Sequence, residues 1–256
     1  MNLMHASTTA SFPQKEDYPD GFSILDNPEK NPTAYLELVE SSASAYYQTD
    51  LITRYFYAKR FGILAEHLKG RTFAKSLDVG CGIGFALPLL ASHSGEVVGV
   101  DASLVSVEYA RYMAERRHIQ NAQFLQGNIL SLPFGDSSFD LVVCMSVLEH
   151  IRDLGSAFRE LKRVLRPGGL LMVGYPSETP LFRLLHNNLS TLFPKRRKIQ
   201  KVIEKENPSE ETFLGHINDG KKIRRELVKA DFATEKKRSL KLLPPFFELY
   251  TFHILT

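Results

Sequence analysis

Ser76-Leu77-Asp78-Val79-Gly80-Cys81-Gly82-Ile83-Gly84-Phe85 decides the reading of this chain. It begins as a buried strand that ends in an acidic residue. A turn follows with glycine at every second position. Glycine has no Cβ, so such a turn can take positive φ and let a ligand lie against the backbone. Phe85-Ala86-Leu87-Pro88-Leu89-Leu90 then opens a helix, with Pro88 early enough to be tolerated. Strand, glycine turn and helix start together make a nucleotide-type site at the carboxyl edge of a parallel sheet.

The glycine spacing separates two kinds of ligand. Dinucleotide sites use G-x-G-x-x-G. Here Gly80, Gly82 and Gly84 follow Asp78 as D-x-G-x-G-x-G, and the third dinucleotide glycine would fall on Phe85. A pyrophosphate has little use for a carboxylate as close as Asp78. A cationic ligand does, and S-adenosylmethionine carries both an ammonium and a sulfonium. The plainer alternative is a tight strand-to-helix turn with no ligand, since glycine turns are common punctuation.

Outward from this stretch, the pattern alternates strand and helix. Glu96-Val97-Val98-Gly99-Val100-Asp101 reads as a second buried strand ending in a carboxylate, 17 residues after Gly84. An acid there can accept from both ribose hydroxyls; alone it would read as a helix cap, a role Ser103 can also fill. A helix from Leu104 to Arg117 follows, then strand Ala122–Gln126. Asn128 comes at the same edge, either as an adenine-reading amide or as a turn asparagine. A turn-rich loop leads to strand Leu141–Met145 and a helix from Asp153 to Leu165. Arg166-Pro167-Gly168-Gly169 reads as a left-handed helix cap before strand Leu170–Tyr175. This alternation predicts an α/β, doubly wound parallel sheet.

Composition sets the outer limits. The 256 residues suit one large α/β domain, and 43% hydrophobic with 24% charged content is ordinary for a globular protein. No apolar run approaches the ~18 residues of a membrane span, and Met1 to Asp20 has no signal-peptide core. Cys81 and Cys144 form no disulfide framework and no metal-ligand spacing, and read as packing residues in a reducing cytoplasm. The net charge of +3 is uneven. Leu181 to Lys241 holds 16 Lys/Arg and 8 Asp/Glu, a net of +8, leaving −5 for the rest.

Asp78-Val79-Gly80-Cys81-Gly82-Ile83-Gly84, the strand ending at Asp101, Leu132-Pro133-Phe134 through Ser138-Phe139-Asp140, Leu148-Glu149-His150, and Leu165-Arg166-Pro167-Gly168-Gly169 occur in that order. In this the chain resembles the class I S-adenosylmethionine-dependent methyltransferases, particularly the ubiquinone and menaquinone biosynthesis branch. The resemblance covers about residues 75–175. It implies a Rossmann-like, mostly parallel seven-stranded sheet with an antiparallel last strand. It also implies S-adenosylmethionine as cofactor and S-adenosylhomocysteine as product. Asp78, Gly80, Cys81, Gly82 and Gly84 would face the methionine part, with Asp78 near the ammonium. Asp101, with Ala102 beside it, would hold the ribose. Asn128 and Ile129 would border the adenine, and Met145 and Ser146 would line the floor. Many relatives have aspartate where this chain has Asn128.

The expected layout is a flexible leader over 1–30 and a single methyltransferase domain over 31–256. Within it come N-terminal helices (31–70), the cofactor-binding core (75–175), a lid or insert (176–220), and a last helix with a closing hairpin (221–256). His150 and His216 are the candidate bases, needed only if the acceptor must lose a proton. Each also has a plain reading, His150 as a helix-start residue and His216 as a polar loop residue. Tyr46, Tyr47, Tyr55 and Tyr57 read as helix packing or as part of a lid. Leu181, Phe182, Leu185, Leu189, Leu192 and Phe193 share a helical face, followed by Pro194-Lys195-Arg196-Arg197-Lys198. That suits either an edge-covering helix with a solvated basic tail or a surface helix over a small or lipid-like acceptor, touching anionic lipid. The segment lacks the aromatic–basic interleaving of a nucleic-acid groove. The expected location is cytoplasmic, with peripheral membrane contact through 181–198. A methyltransferase-like domain that binds cofactor or a partner without catalysis is the alternative function.

Overall fold

The computed structural model describes residues 13–19, 31, 34, 38, 51–177, 217–242 and 247–256. His216, Tyr46, Tyr47 and the 181–198 stretch lie outside the described residues, as do the side chains of Tyr55 and Tyr57.

The elements run α1 (Leu51–Leu68), β1 (Phe73–Val79), α2 (Leu87–Ala91), β2 (Ser94–Asp101), α3 (Leu104–Arg116), β3 (Ala122–Gln126), β4 (Phe139–Met145), α4 (Leu154–Val164), β5 (Leu165–Pro176), α5 (Gly220–Lys229), β6 (Thr234–Leu242) and β7 (Phe247–Leu255). The seven strands form one sheet in the order β3-β2-β1-β4-β5-β7-β6. β1 to β5 pair in parallel, and β7 runs antiparallel between β5 and β6. The expected doubly wound sheet is therefore present.

Alternation along each strand sends its apolar residues to two cores. On one face Val97, Leu141, Val143, Met172 and Ile254 pack under Leu64 and Leu68 of α1, Leu87 and Leu90 of α2, and Val107, Ala110 and Met113 of α3. On the other, Leu77, Val79, Val142, Cys144, Leu171 and Val173 meet Leu154, Phe158, Leu161, Ile223 and Leu227 of α4 and α5. The sheet is buried on both sides, which is why its strands read as continuous apolar runs. Cys81 and Cys144 are free and buried, the packing role the sequence suggested.

Three helices begin on a side-chain cap. Ser103 Oγ accepts from Ser106 N at α3, Asp153 Oδ1 from Ser156 N at α4, and Asp219 Oδ1 from Lys222 N at α5. Each cap contributes about 1 kcal/mol. Ser103, not Asp101, caps α3.

Two local expectations are corrected. Leu165 is already extended (φ −78°, ψ 134°), so α4 stops without a left-handed cap and β5 begins at once. Leu165 pairs with Phe139 and Leu170 with Leu141, so residues 166–169 form a bulge, and it is there that Gly168 takes φ +73°. The helix expected from Phe85 is shorter, starting at Leu87, because residues 82–86 are still turning.

Part of the expected leader is docked. Lys15–Asp17 form a short 3₁₀ turn, and Tyr18 beyond it is 2% exposed. Tyr18 OH donates to Ile83 O (3.1 Å), inside the glycine turn. Its ring stacks on Tyr109 and meets Phe85 edge-on. Arg117 Nε donates to Asp17 Oδ2 at 2.8 Å. Apolar contact with one aromatic overrides a polar local composition.

Candidate active site

The carboxyl ends of β1, β2 and β4 meet at the glycine turn. Gly80 N and Cys81 N both donate to Val100 O of β2 (2.7 and 3.0 Å), and Gly84 N to Cys81 O (2.9 Å). Gly80, Gly82 and Gly84 all take positive φ, at 71°, 51° and 85°. Space forbids a side chain as well. A Cβ on Gly80 would stand 2.1 Å from Val147 Cγ2, and one on Gly84 2.8 Å from Met113 Cε. The turn is thus wedged between the loop after β4 and helix α3.

Asp78 is 5% exposed at the end of β1. Among the described residues no donor reaches its carboxylate. Burial pushes its pKa up to about 7, and the like charge of Asp101 adds to the rise. Asp101 itself is well held. Its Oδ2 accepts from Gly82 N (2.7 Å) and its Oδ1 from Ser103 N (2.9 Å). A carboxylate has about four acceptor positions, and these two donors take one on each oxygen. Burial, with Asp101 and Asp78 nearby, pushes the Cys81 thiol well above its usual range, so Cys81 is a neutral packing group.

Ala102 is exposed, and its carbonyl accepts from Gln126 Nε2 (2.9 Å). Asn128 is exposed, and its Oδ1 accepts from Leu130 N (2.9 Å) in an Asx-type turn. The amide carbonyl expected for adenine is therefore already used once, with its second lone pair left. Ile129 beside it is buried. Met145 and Ser146 are half-buried at the end of β4.

His150 is exposed in the 3₁₀ turn Leu148–His150, and its backbone N donates to Val147 O. Its neighbour Glu149 is buried. The Glu149 carbonyl accepts from Ile217 N (2.8 Å) and Asn218 N (3.1 Å). Asn218 Nδ2 donates to the carbonyls of Leu148 and Ile151. Glu149 and Ile217, which adjoin the two candidate histidines in sequence, are thus joined although they lie 68 positions apart.

Sequence reading missed a second cluster. Arg60 of α1 is 7% exposed. Its Nη1 donates to Ser146 Oγ, and its guanidinium carbon lies 4.9 Å from the centroid of the Tyr250 ring. Ser146 Oγ and Tyr250 OH are 2.9 Å apart. A signal was available. Arg60, Leu64 and Leu68 recur every four residues, so the arginine stands on the apolar face of its helix.

Residues 77–173 match the family model described as a methyltransferase domain. The chain is 32% identical over 182 residues to a demethylmenaquinone methyltransferase of Staphylococcus saprophyticus, covering 68% of this chain and 76% of that protein. It is 35% identical over 133 residues to the uncharacterized methyltransferase YcgJ of Bacillus subtilis. The match covers 51% of this chain, which spans only about half (53%) of that relative's length. The crystal structure of YcgJ superposes with a TM-score of 0.55 at 25% identity, covering 72% of this chain and 74% of that one. The chain belongs to the class I S-adenosylmethionine-dependent methyltransferases. Among the described residues no helix is long and apolar enough to cross a membrane.

Proposed function

We propose that this protein catalyses S-adenosylmethionine-dependent methyl transfer to a small-molecule or lipid-like acceptor. The observation that carries the reading is Asp78, a buried carboxylate at the foot of the glycine turn that no donor of the described residues meets. A cation is the partner that such a group calls for. The residues fit the cofactor on this count. Asp78 would take the ammonium, Gly80, Cys81, Gly82 and Gly84 the methionine part, and Asp101 with Ala102 the ribose. Asn128 and Ile129 would border the adenine, with Met145 and Ser146 below. When bound, the cofactor supplies a methyl on a sulfonium, already an excellent leaving group.

The chain's own task is then to hold an acceptor lone pair in line and to keep water out. A base is required only for an acceptor that must lose a proton, and His150 and His216 are the residues for that role. Likeness to a demethylmenaquinone methyltransferase supports a lipid-like acceptor. The apolar and basic stretch 181–198 would then touch anionic lipid; equal co-sedimentation with neutral and anionic vesicles would exclude that contact.

Calorimetric titration tests the central reading. Both S-adenosylmethionine and S-adenosylhomocysteine should bind in the micromolar range, roughly −8 kcal/mol. Asp101→Ala should weaken both at least tenfold. A protein that binds neither is not a methyltransferase of this kind.

A further inference from the structure

Helix α5 carries a charge pattern that its own stability does not ask for. Ile223 and Leu227 bury one side of it against the core that α4 also lines. Lys221, Lys222, Arg224, Arg225, Val228 and Lys229 occupy the remaining sides and are exposed. Lys221 and Lys222 sit in the first turn, at the positive end of the helix dipole, where a cation is unfavourable. Lys221 precedes Arg224 by three residues and Arg225 by four, and Lys222 precedes Arg225 by three. At those spacings like charges are neighbours on the helix surface and repel.

Around α4 and the start of β5, by contrast, basic side chains are matched. Arg163 pairs with Glu160 and Asp136, and Arg166 with Asp140. Lys162 donates to the carbonyls of Ala230 and Asp231, at the end of α5 where the dipole favours a cation. In α5 itself Lys229 pairs with Glu226 at 2.8 Å, and Asp219 Oδ1 accepts the capping bond from Lys222 N. Among the described residues Lys221, Lys222, Arg224 and Arg225 make no ion pair and no side-chain hydrogen bond. A local arrangement that works against its own helix points to a partner outside the chain.

Val228 lies among these cations, four residues after Arg224 and three after Arg225. At 73% exposure it is the most exposed large apolar side chain of the described residues. Unmatched cations around an exposed apolar residue, on a convex helix, fit a layer of anionic headgroups over acyl chains. Nucleic acid asks for something else. A strand of bases needs a groove with aromatic platforms, and α5 has no aromatic residue.

The place of α5 gives such a contact a use. Asn218, next to the capping Asp219, donates to Leu148 O and Ile151 O in the loop after β4. The first turn of α5 is thereby held at the carboxyl edge of the sheet, on the rim of the candidate active site.

We propose that the exposed face of α5 docks on the anionic surface of a bilayer. Lys221, Lys222, Arg224 and Arg225 meet the lipid phosphates, and Val228 enters the headgroup layer. The contact is separate from residues 181–198 and stands with or without theirs. It gives a lipid-like acceptor a short way to the site, and it does not depend on the methyl-transfer reading.

Co-sedimentation of the full-length protein with vesicles tests this, using phosphatidylcholine alone or mixed with phosphatidylglycerol. Wild type should bind the mixed vesicles and release them as salt rises. Arg224→Gln together with Arg225→Gln should lower the partitioning by about tenfold or more. Val228→Asp should lower it severalfold. These side chains are exposed, so both variants should keep the wild-type affinity for S-adenosylhomocysteine. Wild type that ignores the mixed vesicles, or binds both kinds equally, overturns the inference. So does undiminished binding by the two variants, with the loss confined to a protein carrying Lys195→Gln, Arg196→Gln and Arg197→Gln. Polyuridylate that strips wild type from the mixed vesicles at equal phosphate assigns the face to nucleic acid and overturns it too. A protein that binds these vesicles through α5 but no S-adenosylhomocysteine removes the methyl-transfer reading and leaves this one standing.

Discussion

Tyr250 lies across Gly174, its hydroxyl 2.9 Å from where a β-carbon would stand on that glycine. Across that glycine the tyrosine hydroxyl reaches Ser146 at the end of β4, a contact that spans a strand because β5 separates β7 from β4 in the sheet. Gly174→Ala should push the tyrosine off Ser146. Overpacking of this kind costs about 1–3 kcal/mol. Thermal denaturation should show the loss, and S-adenosylhomocysteine affinity should change little. An alanine variant as stable as wild type would mean that Tyr250 can leave without cost.

Asp78 gives the protein a pH dependence of definite sign. Its carboxyl is raised from 3.8 to about 7 by burial and by Asp101. In the free protein the folded state therefore holds this proton more tightly than the unfolded chain does. The group's contribution is fully present below about pH 4 and is lost as pH rises through 7. Bound ammonium reverses the preference, since it favours the ionised form. Affinity for S-adenosylmethionine should climb between pH 5.5 and about 7 and then level off, with a proton released on binding below 7. Calorimetry in buffers of different ionisation enthalpy measures that proton. Asp78→Asn should abolish both the climb and the release. It should also stabilise the free protein at pH 8 relative to wild type.

Tyr18 should matter more for its ring than for its hydroxyl. Tyr18→Phe removes the bond to Ile83 O and should cost about 1 kcal/mol. Tyr18→Ala also removes packing on Phe85 and Tyr109 and should cost about 3 kcal/mol or more. Limited proteolysis supplies the second readout. Cleavage after Lys15 should be slow in wild type and fast in Tyr18→Ala. Equal cleavage rates would show that the docked segment is held by Asp17 and Arg117 instead.

What the sequence made legible follows from distance along the chain. The strands ending at Asp78 and Asp101, and the glycine turn between them, announce themselves because their constraints are local. Apolar runs fix buried parallel strands, and alternate glycines fix a turn of positive φ. Ser103 as a cap was visible for the same reason. The Arg60, Ser146 and Tyr250 cluster was not. Its members come from α1, the end of β4 and β7, and only the sheet order brings them together. Tyr18 was hidden differently. Its neighbours are polar and charged, so composition predicted a solvated leader, while Phe85 and Tyr109 supply the surface that captures it. The Leu165–Gly169 stretch carried glycines suited to a helix cap, and pairing with β4 won over that local preference.

The chain leaves the described core at Ser177 and re-enters it at Ile217. Both points are fastened. Ser177 Oγ is hydrogen-bonded to Thr251 Oγ1, and Ile217 and Asn218 hang on the Glu149 carbonyl beside His150. The two residues that flank 178–216 are thus each tied to the core by hydrogen bonds. Doubling the length of such a span adds only about 0.6 kcal/mol of closure entropy. Replacing 178–216 as one piece should therefore leave the glycine turn and its carboxylates untouched, and S-adenosylhomocysteine affinity measures whether it does.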